Sequence, residues 1–420
     1  MEGKQPYFKL IVLIMAGTSS FYLPFGIARV FRPTFLDVFS ITNLDLGLCF
    51  SVYGVIALFS YFFGGGLADR IAPNVLIASS LFMTAAGGLY MATYPSIFGL
   101  KVLYGYWGFT TVFLFWAAMI KATRMWGGSS NQLRAFAFLD GGRGLVATLL
   151  GSMGVLVFGS MLTEGIATIS IDDKKNSFSS VIYITSAFVI IVGILCLIFL
   201  RSKGTDDAMI KDKIGLGQIV EVLKIRSVWY LMVIILCAYF GYKVTDIGSL
   251  YANEVMGYDE ISSANLATFL LFLRPVMGLM IGLFASSIKS ANFLVISFVF
   301  LLAGSSIFAS GVNSPNLNLL FLISVIILAV GAYSARTLYF AVLQEGRIPL
   351  YLTGTAVGII SFIGYTPDIF SGPLIGVLLD NNPGEYGHQL VFAVLGIFSI
   401  IGLIAAIGFK RFVYKGKSLS

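Results

Sequence analysis

Ten ionisable side chains interrupt otherwise apolar sequence: Arg29, Arg32, Lys101, Arg143, Lys243, Arg274 and Arg336 on the basic side, Asp140, Asp246 and Asp368 on the acidic side. An ionised group in hydrocarbon costs roughly 2.5–3.5 kcal/mol on insertion scales, so such residues persist where they face a wet cavity or a partner. Their chemistry is the binding of charge and the movement of protons. Covalent catalysis has no residues here. There is no His-Glu-x-x-His, no Gly-x-Ser-x-Gly and no phosphate-cradling Walker loop. Gly142-x-Gly144-x-x-Ala147 imitates a dinucleotide fingerprint, but no strand precedes it, and it reads as helix packing. Cys49, Cys196 and Cys237 are scattered through apolar runs without metal or redox spacing and read as small buried residues. His388, the single histidine, falls in a short polar loop and is expected to be solvated. No metal site and no cofactor is expected.

Depth follows from a helical rise of about 1.5 Å per residue. Arg143 and Arg274 fall near mid-membrane. Arg29, Lys243, Asp246 and Asp368 fall in the outer half, Asp140 and Arg336 in the inner half. Arg32 and Lys101 lie close enough to the outer surface to snorkel. Lys243 and Asp246 are three apart on one helix face, as are Asp140 and Arg143. Each pair reads either as an internal neutralising bridge or as a cavity-lining pair that changes partner. Among the deep groups, Arg29, Arg143, Lys243, Arg274 and Arg336 outnumber the three aspartates, and an excess of positive charge favours an anionic solute. Those five bases, with Tyr22, Tyr242 and Tyr365 on the same helices, are the candidate substrate-binding residues. Asp140, Asp246 and Asp368 are the candidate proton carriers.

The elements that must hold these groups are membrane spans. The 420 residues are 58% hydrophobic and only 11% charged, against roughly 25% charged in a soluble domain, and the mean hydropathy is +0.92. A span takes about 20 apolar residues. The sequence predicts twelve, over 9–35, 44–67, 72–93, 97–124, 133–162, 178–200, 227–255, 261–287, 290–311, 317–343, 349–379 and 388–411. The charged stretch 201–226 divides them into a bundle over 1–200 and another over 227–420, and reads as a linker with an interfacial helix. The apolar run from Leu10 onward exceeds a cleaved signal segment. Pro24 and Gly26 interrupt the first helix, Gly151 and Gly154 loosen the fifth, and Pro367, Gly372 and Pro373 interrupt the eleventh.

Lys and Arg in the loops fix the orientation. Almost all the loop bases fall on the side of both termini, and the opposite loops hold only Lys174 and Lys175 beside Glu254, Asp259, Glu260, Asp380 and Glu385. Both termini are therefore expected in the cytoplasm, and the net charge of +7 is a topology signal that implies no nucleic-acid partner. A shift of roughly 216 positions lays Gly66-Leu67-Ala68 on Gly282-Leu283-Phe284. A similar shift lays Phe21-Tyr22 on Ala238-Tyr239 and brings Arg29 near Asp246, as an old duplication of six spans would.

Directly after the second span stands Gly64-Gly65-Gly66-Leu67-Ala68-Asp69-Arg70-Ile71. This segment resembles the loop between helices 2 and 3 of the major facilitator superfamily of secondary transporters. Gly66, Asp69 and Arg70 match the motif's Gly, Asp and Arg, while Ala72-Pro73-Asn74 replaces its later bases. The resemblance implies a gating role for these three, with Arg134 as the partner of Asp69. Ile120 to Arg124 with Leu139 to Leu145, Ser334-Ala335-Arg336, and Gly364 to Phe370 are similar to a bacterial inner-membrane subgroup of the YihN type. The resemblance implies an all-α membrane fold of two six-helix bundles, in a bacterial plasma membrane, working by alternating access.

The expected function is secondary transport of a small, anionic organic solute, coupled to protons. Alternatives are an organic-anion or phosphate-ester exchanger without proton coupling, and a drug or metabolite efflux pump. A membrane enzyme and a channel are disfavoured. The expected partners are the anionic solute, the lipid bilayer and a coupling proton or sodium ion, with the chain acting as a monomer.

Overall fold

A computed structural model of the chain describes residues 7–127, 132–161, 170–201, 216–284, 290–338, 342, 345–349 and 352–415. Among them are twelve helices long and apolar enough to cross a membrane: Tyr7–Val30, Asn43–Tyr61, Pro73–Met91, Ile97–Gly127, Phe138–Ser160, Ile171–Phe199, Arg226–Glu254, Glu260–Ile281, Ser290–Ala309, Asn318–Leu338, Thr355–Asn381 and Glu385–Tyr414. They are numbered here as spans 1 to 12. All-helical architecture is what lipid demands, because a helix satisfies its own backbone where no water can. Between spans 6 and 7 a short helix, Leu216–Leu223, precedes the start of span 7.

Two spans widen into a π-turn partway, and each does so for a local reason. Pro24 lacks the N–H that would bond the Ser20 carbonyl, and span 1 widens there into a π-turn over Tyr22–Gly26. Span 4 widens over Phe109–Leu114. There the hydroxyls of neighbouring residues supply the missing donors. Ser80 Oγ donates to the Thr110 carbonyl at 2.7 Å and Thr111 Oγ1 to the Trp107 carbonyl at 2.7 Å; separately, the Trp107 indole Nε1 donates to the Thr84 carbonyl of span 3 at 3.1 Å.

The chain divides by proximity into two compact units. The first takes Met1–Gly204, Asp246–Pro275 and Gly372–Val377; the second takes Thr205–Thr245, Val276–Ser371 and Leu378–Ser420. In the first unit Phe31, Phe35, Trp107, Tyr104, Phe115, Phe158 and Phe178 are fully buried and form the centre of the core. In the second unit Phe240, Phe298, Phe321 and Tyr333 hold the same place. Glu345 caps span 9 there, accepting from the Ser290 and Ala291 N–H groups at 3.0 and 3.1 Å.

Three sequence expectations are corrected. Arg32 does not snorkel: it is 4% exposed, because the helix Arg32–Phe39 turns it inward, where its Nε and Nη2 donate to Asn43 Oδ1 at 3.0 and 2.8 Å. His388 is not solvated. Span 12 begins at Glu385, earlier than expected, and carries His388 to full burial. Gly151 and Gly154 do not loosen span 5, which runs unbroken through Gln132–Ser160; they are points of close approach to Thr268 and Phe31. The three cysteines are buried as expected.

Candidate functional site

In the first unit, span 1 carries Tyr22 at the start of its π-turn and Arg29 in the helical turn that follows. The Arg29 guanidinium forms an ion pair with Asp246, and the two side chains are 6% and 8% exposed. The backbone of Arg29 is tied as well: Ser249 Oγ donates to its carbonyl at 2.9 Å. Asp246 reaches Arg29 from a tight turn, Thr245–Ile247, that breaks span 7 between Arg226–Val244 and Gly248–Glu254.

A second pair in this unit joins spans 5 and 8. Arg274 Nη2 donates to Asp140 Oδ1 at 3.0 Å, with Asp140 nearly half exposed. One turn beyond Asp140, the Arg143 guanidinium lies 5.4 Å from the centre of the Phe21 ring. Thr18 Oγ1 donates to the Arg143 carbonyl at 3.0 Å, and Gly17 leaves room for the arginine's own stem.

The candidates of the second unit converge more closely. Span 7 carries Tyr239, Tyr242 and Lys243, and Lys243 Nζ lies 3.2 Å from Asp368 Oδ1. Tyr239 donates its hydroxyl to the same carboxylate, 2.9 Å from Oδ1 and 3.0 Å from Oδ2. Asp368 stands in the first turn of Pro367–Asn381, directly after the break at Tyr365 and Thr366. The aromatic rings form a block around it. Tyr239 stacks on Tyr242 at 5.8 Å, Tyr365 meets Tyr239 edge-on at 4.9 Å, and Tyr333 meets Tyr242 edge-on at 6.3 Å. The Arg336 guanidinium covers Tyr242 at 3.7 Å from the ring centre.

All eight candidate charges thus stand within the two units, and each aspartate has a cation from a distant part of the chain. Sequence offered only the neighbours three residues away. It did not offer Tyr239 as a binding residue, although the internal repeat matches it to Tyr22, and nothing in sequence pointed to Tyr333. It also missed a cluster at the other end of span 6. Lys174 Nζ lies 2.8 Å from Asp37 and pairs with Glu260, whose other oxygen accepts from Thr34 Oγ1 at 2.6 Å. Nearby, Tyr94 donates to the Lys175 carbonyl at 2.6 Å, and burial pushes its phenol up from its ordinary value. The side chains of the expected gating residues Gly66, Asp69, Arg70 and Arg134 lie outside the described ones, as do those of the second copy at Gly282 to Phe284, while the backbone of all of them is helical. Among the described residues no group of His, Cys, Asp and Glu is arranged to hold a metal ion.

The comparisons with known proteins agree on the fold. Residues 14–372 match the model of the Major Facilitator Superfamily. The inner membrane protein YqcE of Escherichia coli is 27% identical over 414 residues, covering 96% of this chain and 94% of that one. The inner membrane protein YihN of the same organism is 24% identical over 418 residues, covering 97% and 96%. Among solved structures, a bacterial homologue of the human lysosomal transporter Spinster superposes with a TM-score of 0.73 at 14% identity, over 98% of each chain. The nucleoside transporter NupG superposes with a TM-score of 0.69 at 15% identity, over 97% and 98%. The match runs from the first span into the eleventh and takes in well over half of the chain, whose described residues include twelve membrane-length helices: this chain is a multi-pass protein of the bacterial inner membrane and belongs to the Major Facilitator Superfamily.

Proposed function

We propose that the chain is a secondary active transporter that moves a small anionic organic solute across the cytoplasmic membrane by alternating access, coupled to protons. In this reading two six-helix halves, 1–200 and 227–420, are joined by the cytoplasmic linker 201–226. Both termini lie in the cytoplasm, and the monomer is the working unit. Arg29, Arg143, Lys243, Arg274 and Arg336, with Tyr22, Tyr242 and Tyr365, bind the solute. Asp140, Asp246 and Asp368 are the proton carriers, and Gly66, Asp69, Arg70 and Arg134 gate the motion.

The observation that carries the reading is the balance of charge. The three aspartates are matched by Arg274, Arg29 and Lys243. Five of the eight candidate charges are basic and three acidic, and the buried Arg32 adds a further cation, so the count is in positive excess whichever groups pair; Arg143 and Arg336 stand against aromatic rings. A solute that brings negative charge lowers the energy of such an arrangement, and one that brings positive charge raises it.

Purified protein is to be heated with gluconate, glucuronate, benzoate or glucose phosphate, and with the neutral sugars as controls. A binder raises the melting temperature by mass action. The anionic probes are expected to stabilise and the neutral ones not. Arg143→Gln with Arg336→Gln is expected to abolish the stabilisation. Stabilisation by neutral or cationic solutes alone overturns the anion assignment. Uptake of the binder by proteoliposomes that is indifferent to a collapsed pH gradient replaces proton coupling by exchange.

A further inference from the structure

We propose that Lys243, Asp368 and Tyr239 form one exchange unit, in which the solute's anionic group takes the Lys243 ammonium and Asp368 takes a proton in its place. The proposal rests on the anion-transporter reading and selects one acid and one mechanism within it.

The geometry is that of a carboxylate with two donors from a single helix. Tyr239 and Lys243 are four residues apart on span 7 and so project together. Lys243 Nζ stands 3.2 Å from Oδ1, while the Tyr239 hydroxyl lies within 3.0 Å of both carboxylate oxygens. The first turn of Pro367–Asn381 adds the positive end of a helix dipole. The neighbouring groups are Arg336, one ring away behind Tyr242, and the phenols of Tyr242 and Tyr365. The carboxylate side chain is 18% exposed and the lysine 6%, so the unit is reached from outside at the carboxylate.

When an anion draws the ammonium away, the carboxylate keeps a neutral phenol in place of a cation. A charge left so in a dry interior costs several kcal/mol. Protonation removes that charge. One proton moves from water to a carboxylate oxygen of Asp368, Lys243 stays an ammonium throughout, and no other bond changes. A monoanion and a proton enter together, so the net charge of the unit is unaltered. When the anion leaves, Lys243 returns and the proton is expelled.

The other two acids suit this step less well. Asp246 is paired with a guanidinium, and both side chains are under a tenth exposed, so neither water nor solute reaches the pair as it stands. Asp140 is 47% exposed, the most open of the three carboxylates, and is the one least stranded by loss of its cation. Tyr239 is a positioning residue. Its ring is fixed between Tyr242 and Tyr365, which holds the hydroxyl on Asp368 while Lys243 moves.

The test uses the full-length protein in detergent, weakly buffered, with a pH indicator and the four anionic probes. The native protein is expected to take up about one proton for each anion bound. Lys243→Gln is expected to weaken binding at least tenfold. Asp368→Asn is expected to bind anion without proton uptake. Tyr239→Phe is expected to bind anion with an altered pH profile of proton uptake, because the carboxylate loses the hydroxyl that donates to both its oxygens. A purely structural tyrosine would leave that profile in place. Anion binding without proton uptake by the native protein overturns the exchange unit and leaves anion transport standing. Native-like uptake by Asp368→Asn, or an unmoved profile in Tyr239→Phe, also overturns it. If none of the probes binds the native protein, the proposed function falls first.

Discussion

Replacing Asp246 by Ala removes the partner of Arg29 at a place where both side chains are under a tenth exposed. Two unit charges 4 Å apart attract by about 4 kcal/mol at an effective dielectric of 20, and a contact pair lies within that distance. Breaking a buried pair from one side costs about 3–5 kcal/mol, since the remaining charge is stranded. Asp246→Ala is therefore expected to destabilise by about 3–5 kcal/mol. Arg29→Met with Asp246→Ala removes both charges and is expected to recover most of the loss, because a methionine fills the volume of the arginine stem. Ser249→Ala removes only a neutral hydrogen bond to the Arg29 carbonyl, about 1 kcal/mol. Asp140→Ala is the contrast. Its carboxylate is nearly half exposed, and a screened pair contributes at most about 1 kcal/mol. The measurement is unfolding of each variant in mixed micelles titrated with dodecyl sulfate, followed by tryptophan fluorescence and analysed as a double-mutant cycle. The reasoning fails if Asp246→Ala costs under about 1 kcal/mol. It fails equally if the double variant is no more stable than Asp246→Ala alone.

The same unfolding assay checks two further sites in the first unit. Asn43→Ala takes from the buried Arg32 guanidinium an acceptor that receives two of its donors. A loss of about 1.5–3 kcal/mol is expected, as for a hydrogen bond to a charged group. Trp107→Phe keeps the ring in a site with no solvent exposure but removes the donor to the Thr84 carbonyl at 3.1 Å. A loss of about 1–3 kcal/mol is expected, the cost of leaving a buried acceptor without that donor.

The spans were legible because hydropathy is a property of each segment alone. The same holds for the break at Pro24, where a missing N–H acts within one turn. The charges were legible as residues but not as pairs. Their partners come from far along the chain, Arg29 with Asp246 and Lys243 with Asp368, and no local pattern encodes such a meeting. The repeat aligned Arg29 near Asp246 and Tyr22 with Tyr239 as corresponding positions of two halves, and correspondence of that kind implies no contact. Arg32 and His388 were misjudged for the same reason as each other. Both stand near an expected span end, and a shift of a few residues in that end decides whether a polar group meets water or protein. The Lys174 cluster joins residues 37, 174 and 260, each of which reads by itself as a solvated loop charge.

Three of the later spans are divided between the two compact units, and three of the four divisions fall at a turn or beside a proline. Span 7 passes from one unit to the other at Thr245 and Asp246, within its tight turn. Span 8 passes at Pro275, a proline inside a helix, and span 11 enters the first unit at Gly372, beside Pro373, and leaves it after Val377. A regular helix transmits a displacement along its whole length, because every turn is bonded to the next. A proline or a changed pitch removes one such bond and lets the two ends move by different amounts. Four of the eight charges proposed to bind solute and proton stand beside these points. Asp246 stands in the turn, Lys243 two residues before it, Arg274 one residue before Pro275, and Asp368 four before Gly372. A pair placed at a joint changes its separation when the joint bends, whereas a pair within a straight helix does not. Binding that rearranges Arg29–Asp246, Asp140–Arg274 or Lys243–Asp368 therefore acts where a small change of ion pairing has the most leverage on the helices that carry it.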